Sequence, residues 1–228
     1  MHEIVDLYTT TEVAFLRQAI ENHVGDVLGL SSLTLKNYHL EVSEDQHKTL
    51  SDKRLRVFRE CDSKQIESLA GTRGLMANHP GHKIANIVYN SSEREARPEF
   101  YFRLVRPGHP DDVGLPHCDF WFDAAMGTGW GKGNTIKFWI PIEIEPGLNG
   151  LYFFPSAPPD VPFTIIENRG LRRPQIATPI DSLGTPVLPC PAPGQGLKFG
   201  DDVLHAGAPN RGTSTRVSIE ITLVRGPM

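Results

Sequence analysis

From residue 83 onward the chain is built of short runs rich in Val, Ile, Phe, Tyr and Trp, separated by clusters of Gly, Pro, Asn or Asp. The runs are Lys83–Asn90, Glu99–Arg106, Thr135–Ile144, Gly150–Pro155, Leu197–Leu204 and Ser214–Val224. Many short strands with turn punctuation favour a sandwich, jelly roll or barrel over a parallel α/β sheet. Between Pro155 and Gly196 lie ten of the nineteen prolines, in a stretch with little periodicity. So long a connection reads as a lid, or as an excursion across one end of a barrel. Asp123–Asn134, with Gly127, Gly129, Gly131 and Gly133, reads as a mobile loop. It runs into a strand rather than a helix N-terminus, so it is not a phosphate cradle.

Upstream the texture is helical. Thr9-Thr10-Thr11-Glu12 offers a capping box, and Val13, Leu16, Ile20, Val24 and Val27 recur at three- and four-residue steps until Gly29 stops them. A second, shorter helix is expected from Asp62 or Ser63, carrying Ile66 and Leu69 inward and ending near Gly71 or Gly74. The 228 residues are expected to form one domain: a helical flank over 1–80 and a β core over 83–225, with the Pro-rich insert at 155–196.

A formal net charge of −4, with no basic stretch, argues against a nucleic-acid partner. No apolar run reaches about 18 residues, so no membrane span is expected. Met1–Asp6 lacks the layout of a signal peptide. Cys61, Cys118 and Cys190 are too few and too scattered for a disulfide framework or a zinc spacing, so a cytoplasmic setting is the default.

Neutral imidazole is the commonest transition-metal ligand, and nine histidines are present. Three stand two residues before a carboxylate: His39-Leu40-Glu41, His109-Pro110-Asp111 and His117-Cys118-Asp119. On a strand that spacing puts both side chains on one face, but it does not choose among the three. His109 lies in turn composition between prolines, and His39 lies in a half-buried stretch near the first helix. His117 is followed by Phe120-Trp121-Phe122, an apolar block fit to wall a pocket. His205 is the sole histidine after His117, so a third ligand from the C-terminal half must be this one. Farther on, Val217, Ile219, Ile221 and Leu223 alternate with Arg216, Ser218, Glu220 and Thr222. The polar face meets water, or it turns Arg216 and Ser218 into a barrel to hold a carboxylate.

Taken in order, His117-x-Asp119, the distal His205 and Arg216-x-Ser218 resemble the signature of the Fe(II)/2-oxoglutarate-dependent dioxygenases. Phe138-Trp139-Ile140-Pro141-Ile142 and Asn149–Ser156 make the chain similar to the phytanoyl-CoA hydroxylase-like branch, over roughly residues 85–225. The resemblance implies a fold that is mainly β with flanking α-helices, a double-stranded β-helix or jelly roll. It implies that His117, Asp119 and His205 bind Fe(II), and that Arg216 and Ser218 hold the distal carboxylate of 2-oxoglutarate. Oxygen, O2, would then oxidise a substrate, with release of succinate and CO2. Asp at 119, where related halogenases carry a small residue, implies oxidation without halogenation.

Thr135, Lys137 and Trp139 share one face of their strand, and Lys137 or Thr135 is a candidate to touch the cosubstrate if that face is interior. A lysine there needs a partner. Trp121, Trp130 and Arg103 are candidates for the substrate wall, and Cys118 is read as packing. The expected substrate is a small molecule: a metabolite, natural-product intermediate or sugar-like compound. The rival readings are a cupin-type metal enzyme without 2-oxoglutarate and a jelly roll that binds or senses without turnover.

Overall fold

A computed structural model of the chain describes residues 1–50, 53–87, 97–126, 130–158, 160–168 and 171–225. Its strands are β1 (His2–Asp6), β2 (His82–Ile84), β3 (Asn86–Ile87), β4 (Arg97–Pro98), β5 (Phe100–Val105), β6 (Thr135–Glu143), β7 (Gly150–Phe153), β8 (Phe163–Asn168), β9 (Leu171–Ile176), β10 (Gln195–Gly200), β11 (His205–Ala208) and β12 (Arg216–Arg225). Its α-helices are α1 (Thr10–Leu28), α2 (Tyr38–Glu41), α3 (Glu44–Leu50), α4 (Glu60–Ser68), α5 (Ala70–Asn78) and α6 (Asp119–Met126).

The larger sheet runs β1-β10-β6-β12-β2, with β5 also paired to β12, and its described pairings are antiparallel. A smaller antiparallel pair, β11 and β7, carries the opposing layer, extended by bridges from His205 to His117 and from Phe153 to Val187. Strand alternation splits the larger sheet into two chemically distinct faces. One face sets Phe100, Phe102, Leu104, Phe138, Ile140, Val217, Ile219 and Ile221 against Val13, Leu16, Ile20 and Val24 of α1. The other sets Arg103 opposite Ser218, Glu220 opposite Trp139, and Thr222 opposite Lys137. The oily face is closed by the helical flank, so the polar face looks into the space between the two layers.

α1 begins and ends where its local signals place it. Thr9 and Glu12 form a complete capping box, and Gly29 adopts the left-handed conformation at φ 68°. The second helix differs from expectation. α4 starts at Glu60 and stops at Ser68, Leu69 is extended, and α5 then runs straight through Gly71 and Gly74. Gly71 is there for proximity, not termination: a side chain would collide with the Leu7 carbonyl and the Tyr8 ring.

Other differences follow from packing across the chain. β1 carries no strong strand signature but pairs with β10 along its whole length. The run expected over 197–204 is strand only to Gly200, and a turn separates it from β11. The 123–134 loop begins as the last turns of α6, where Ala125 is buried; residues 127–129 lie outside the described residues. The insert contains the hairpin β8–β9, in which Pro174 is tolerated because a two-stranded ribbon leaves one edge of each strand unpaired. Of the strand expected over 83–90, residues 88–90 lie outside the described residues.

Candidate metal centre

His117 and His205 face each other across a closed backbone pair. His117 N–H donates to the His205 carbonyl at 2.9 Å, and His205 N–H returns the bond at 3.0 Å. Their rings lie 4.5 Å apart between centroids. Each ring is also fixed by its own chain: Nδ1 lies 2.8 Å from the Leu115 carbonyl in His117 and 2.9 Å from the Val203 carbonyl in His205. A carbonyl only accepts, so Nδ1 carries the proton and the Nε2 lone pair is left free in both rings. This is the tautomer a metal-binding imidazole needs.

Asp119 completes the group. It is the first residue of α6, so it does not share a strand with His117 as the spacing suggested. The chain turns after Cys118, with Phe120 N–H donating to the Asp201 carbonyl, and brings the carboxylate back to the two rings. Asp119 Oδ2 lies 3.8 Å from His205 Nε2, and one ligand atom from each of the three residues falls within 4.8 Å of the others. Among the described residues no other histidine, cysteine, aspartate or glutamate group gathers this way. Burial lowers the His117 pKa to about 4, helped by His205, so its ring is neutral near neutral pH. Burial alone would raise Asp119, but Lys137, His205 and His117 together bring it down to about 2. Two imidazole nitrogens and one carboxylate converging from one side are a donor set suited to Fe(II), with positions left over for small ligands.

Beyond the triad lies a cluster of buried donors without acceptors. Arg216 is 1% exposed and makes one hydrogen bond, from Nη1 to the Gly150 carbonyl at 2.6 Å. Gly150 sits at φ 144°, a backbone that side chains rarely adopt. Arg216 Nε and Nη2, Ser218 Oγ and Trp139 Nε1 are all buried without a partner. Burial, then the nearby charge of Arg103, pushes the Arg216 guanidinium down to about 9. Leaving such groups unpaired is costly, and an anion between the sheets would satisfy them together. The Trp139 indole N–H is an unpaired donor that parity with Lys137 does not reveal.

The other candidates fall in different places. Lys137 Nζ lies 3.5 Å from Asp119 Oδ1, so its partner is a triad carboxylate. Thr135 is not among the unpaired donors: its hydroxyl and N–H both donate to Asp201 Oδ2, at 3.1 and 3.2 Å. Trp121, expected at the substrate wall, is 1% exposed and stacked on Phe163 at 4.8 Å, a packing position that fastens the hairpin to α6. Trp130 is half-buried, and its carbonyl accepts from Asn134. Arg103 stands opposite Ser218, with Nε 3.9 Å from Glu220 Oε1. Cys118 is buried, its thiol donating to the Asp202 carbonyl and pushed up to about 12 by burial. His39 pairs with Thr215 and His109 is exposed; neither joins the triad.

No protein-family model and no curated protein matches the chain. Solved structures do. EvdO2 from Micromonospora carbonacea var. aurantiaca, seen in complex with 2-oxoglutarate, aligns at TM-score 0.54 and 15% identity, covering 100% of this chain and 87% of its own. EctD from S. alaskensis, seen with 2-oxoglutarate and 5-hydroxyectoine, aligns at 0.56 and 16%, covering 98% and 71%. ThoJ, described as a non-heme monooxygenase, aligns at 0.53 and 13%, covering 97% and 74%. The chain has their fold. It is the double-stranded β-helix that the resemblance implied, with antiparallel sheets and flanking α-helices, although helix and strand are closer in extent than a mainly β chain would have. EctD has also been seen with bound Fe, in a structure that aligns at 0.51. Among the described residues no helix is long and apolar enough to cross a membrane.

Proposed function

We propose that the protein is an Fe(II)- and 2-oxoglutarate-dependent oxygenase that oxidises a small molecule. The observation that carries this reading is the presence together of two features, one from each layer. The smaller layer and α6 bring a metal-binding triad together, and the polar face of the larger sheet carries a buried guanidinium, hydroxyl and indole N–H that lack acceptors. A metal site alone would suit a cupin-type enzyme, and it would leave Arg216 without a role.

In this reading His117, Asp119 and His205 hold Fe(II), and the bound iron and keto acid supply oxidative decarboxylation coupled to attack on a substrate C–H bond. The chain itself supplies position and exclusion of water. The carbonyls of Leu115 and Val203 keep the two imidazoles in the binding tautomer. Lys137 holds one oxygen of Asp119 and leaves the other toward His205. Arg216, Ser218 and Trp139 anchor the distal carboxylate of 2-oxoglutarate, with the Gly150 carbonyl fixing the guanidinium plane. The apolar layer of Phe153 and Phe199 beside His205 keeps water from that side of the ring.

The test has two readouts. Under anaerobic conditions Fe(II) and 2-oxoglutarate together should give the visible charge-transfer absorption of a keto-acid chelate. On admission of oxygen, succinate should appear. Absence of both with metal bound would leave the cupin-type reading.

A further inference from the structure

Between β5, α3, the segment 109–114 that leads to His117, and the hairpin strand β9 lies a cavity of about 510 Å³. That is the size of a small-molecule site. Its wall is cationic in a chain whose net charge is −4: Lys48, Arg56, Arg103, Arg106 and Arg173 face Glu44, Asp111 and Asp112. Two of the carboxylates are already committed. Arg106 binds Asp112 through Nε and Nη2 and reaches Glu44 through Nη1. Lys48 leans toward Asp45, outside the cavity. Arg173 brings a further guanidinium to the wall, and Arg103 has Glu220 at 3.9 Å on its strand side.

The arginines are arranged, not scattered. Arg56 and Arg103 both lie over the Tyr101 ring, at 4.9 and 5.9 Å. Arg173 comes from the insert, exposed and forming no ion pair among the described residues. The hairpin that carries it is fastened by the Phe163–Trp121 stack to the helix that begins with Asp119. Arg103 is the link inward: it lines the cavity and stands opposite Ser218 on the polar face.

We infer that the substrate of the proposed reaction is a small molecule bearing an oxyanion, phosphoryl or carboxyl, held between Arg103 and Arg173 at the mouth of the polar face. The inference rests on the functional reading above and adds the chemical class of the substrate. Guanidinium forks match both oxyanions in a bidentate way. The site differs from that of the cosubstrate carboxylate, which belongs to Arg216.

The experiment uses protein loaded with Mn(II) in place of Fe(II), without oxygen, by calorimetric titration. A first titration with 2-oxoglutarate separates the two readings: no binding there removes the functional reading and this inference with it. With 2-oxoglutarate saturating, the probes are ribose 5-phosphate, gluconate and the neutral ribitol. Either anion should bind more tightly than ribitol, and the tighter of the two identifies the oxyanion. Arg173→Gln should weaken that binding roughly 10-fold or more, the worth of one charge-assisted hydrogen bond, with 2-oxoglutarate affinity unchanged. Arg103→Gln should weaken it further. Anions that bind no better than ribitol, or an Arg173→Gln protein that binds them like wild type, would overturn the inference while leaving the oxygenase reading intact.

Discussion

Lys137 and Asp119 form an ion pair at 3.5 Å in which the lysine sits on the larger sheet and the carboxylate on the helix that follows the His117–His205 bridge. The lysine is the counter-charge of Asp119 while no divalent ion is bound. Lys137→Met should therefore destabilise the metal-free protein by about 3 kcal/mol. Added Mn(II) should restore much of it, because the ion takes over as counter-charge. Thermal melts with and without Mn(II) check this, and an equal metal-induced shift in both proteins would contradict it.

Arg216 is predicted to cost stability in the free protein and return it on ligation. A guanidinium buried with two unpaired nitrogens is a strained resident, and Arg216→Met should melt higher than wild type without 2-oxoglutarate. The same variant should bind 2-oxoglutarate on the order of 100- to 1000-fold more weakly, with metal affinity nearly unchanged. A variant that saturates at the wild-type concentration would place the arginine outside the cosubstrate site.

Asp112 ties the helical flank to the β core and should dominate the acid limb of stability. Burial would raise its pKa, but His47 and Arg106 hold it well below the usual carboxylate range. A carboxyl depressed in the folded state contributes fully above its ordinary pKa, near 4, and loses that contribution as pH falls below it. Asp112→Asn should cost about 3–5 kcal/mol at pH 7. In urea unfolding the gap to wild type should narrow as the pH is lowered below about 4. A gap independent of pH would remove the charge from the account.

Asp201 holds the metal-side turns together. Its buried carboxylate accepts from Gly133 N–H, Thr135 N–H and the Thr135 hydroxyl, while its carbonyl receives Phe120 N–H. Asp201→Ala leaves those buried donors without acceptors and should cost about 3 kcal/mol. Because the same turn delivers His205, metal affinity should fall too, with Asp201→Asn recovering part of both. Intact metal affinity in the alanine variant would show that β11 is positioned without it.

What was legible in the chain is what short-range physics decides. The capping box at Thr9 and Glu12 and the left-handed stop at Gly29 act within four residues, and alternation from Arg216 to Leu223 sorts a strand into oil and polar faces without knowledge of its neighbours. The expectation that Lys137 needs a partner on an interior face follows from charge alone. The path of Asp119 was not legible, because the spacing to His117 fits a strand as well as a turn into a helix. Nor was Gly71, whose reason lies in the Leu7 carbonyl more than sixty residues away. Trp121 reads equally as wall or core until Phe163 is seen stacked on it.

The pairing of β1 with β10 sets a timetable. Ile4 meets Leu197, about 190 residues farther along the chain. On a ribosome adding about 5–20 residues each second, His2–Asp6 waits roughly 10–40 s for its partner to be made. During that interval α1 has its cap and its stop, yet the strand beside it has no ladder to join. When β10 emerges, β6 already exists to take one of its edges, and the waiting segment covers the other. The segment made first thus closes last: it covers the edge of β10 that β6 leaves open and becomes the short terminal strand of the sheet.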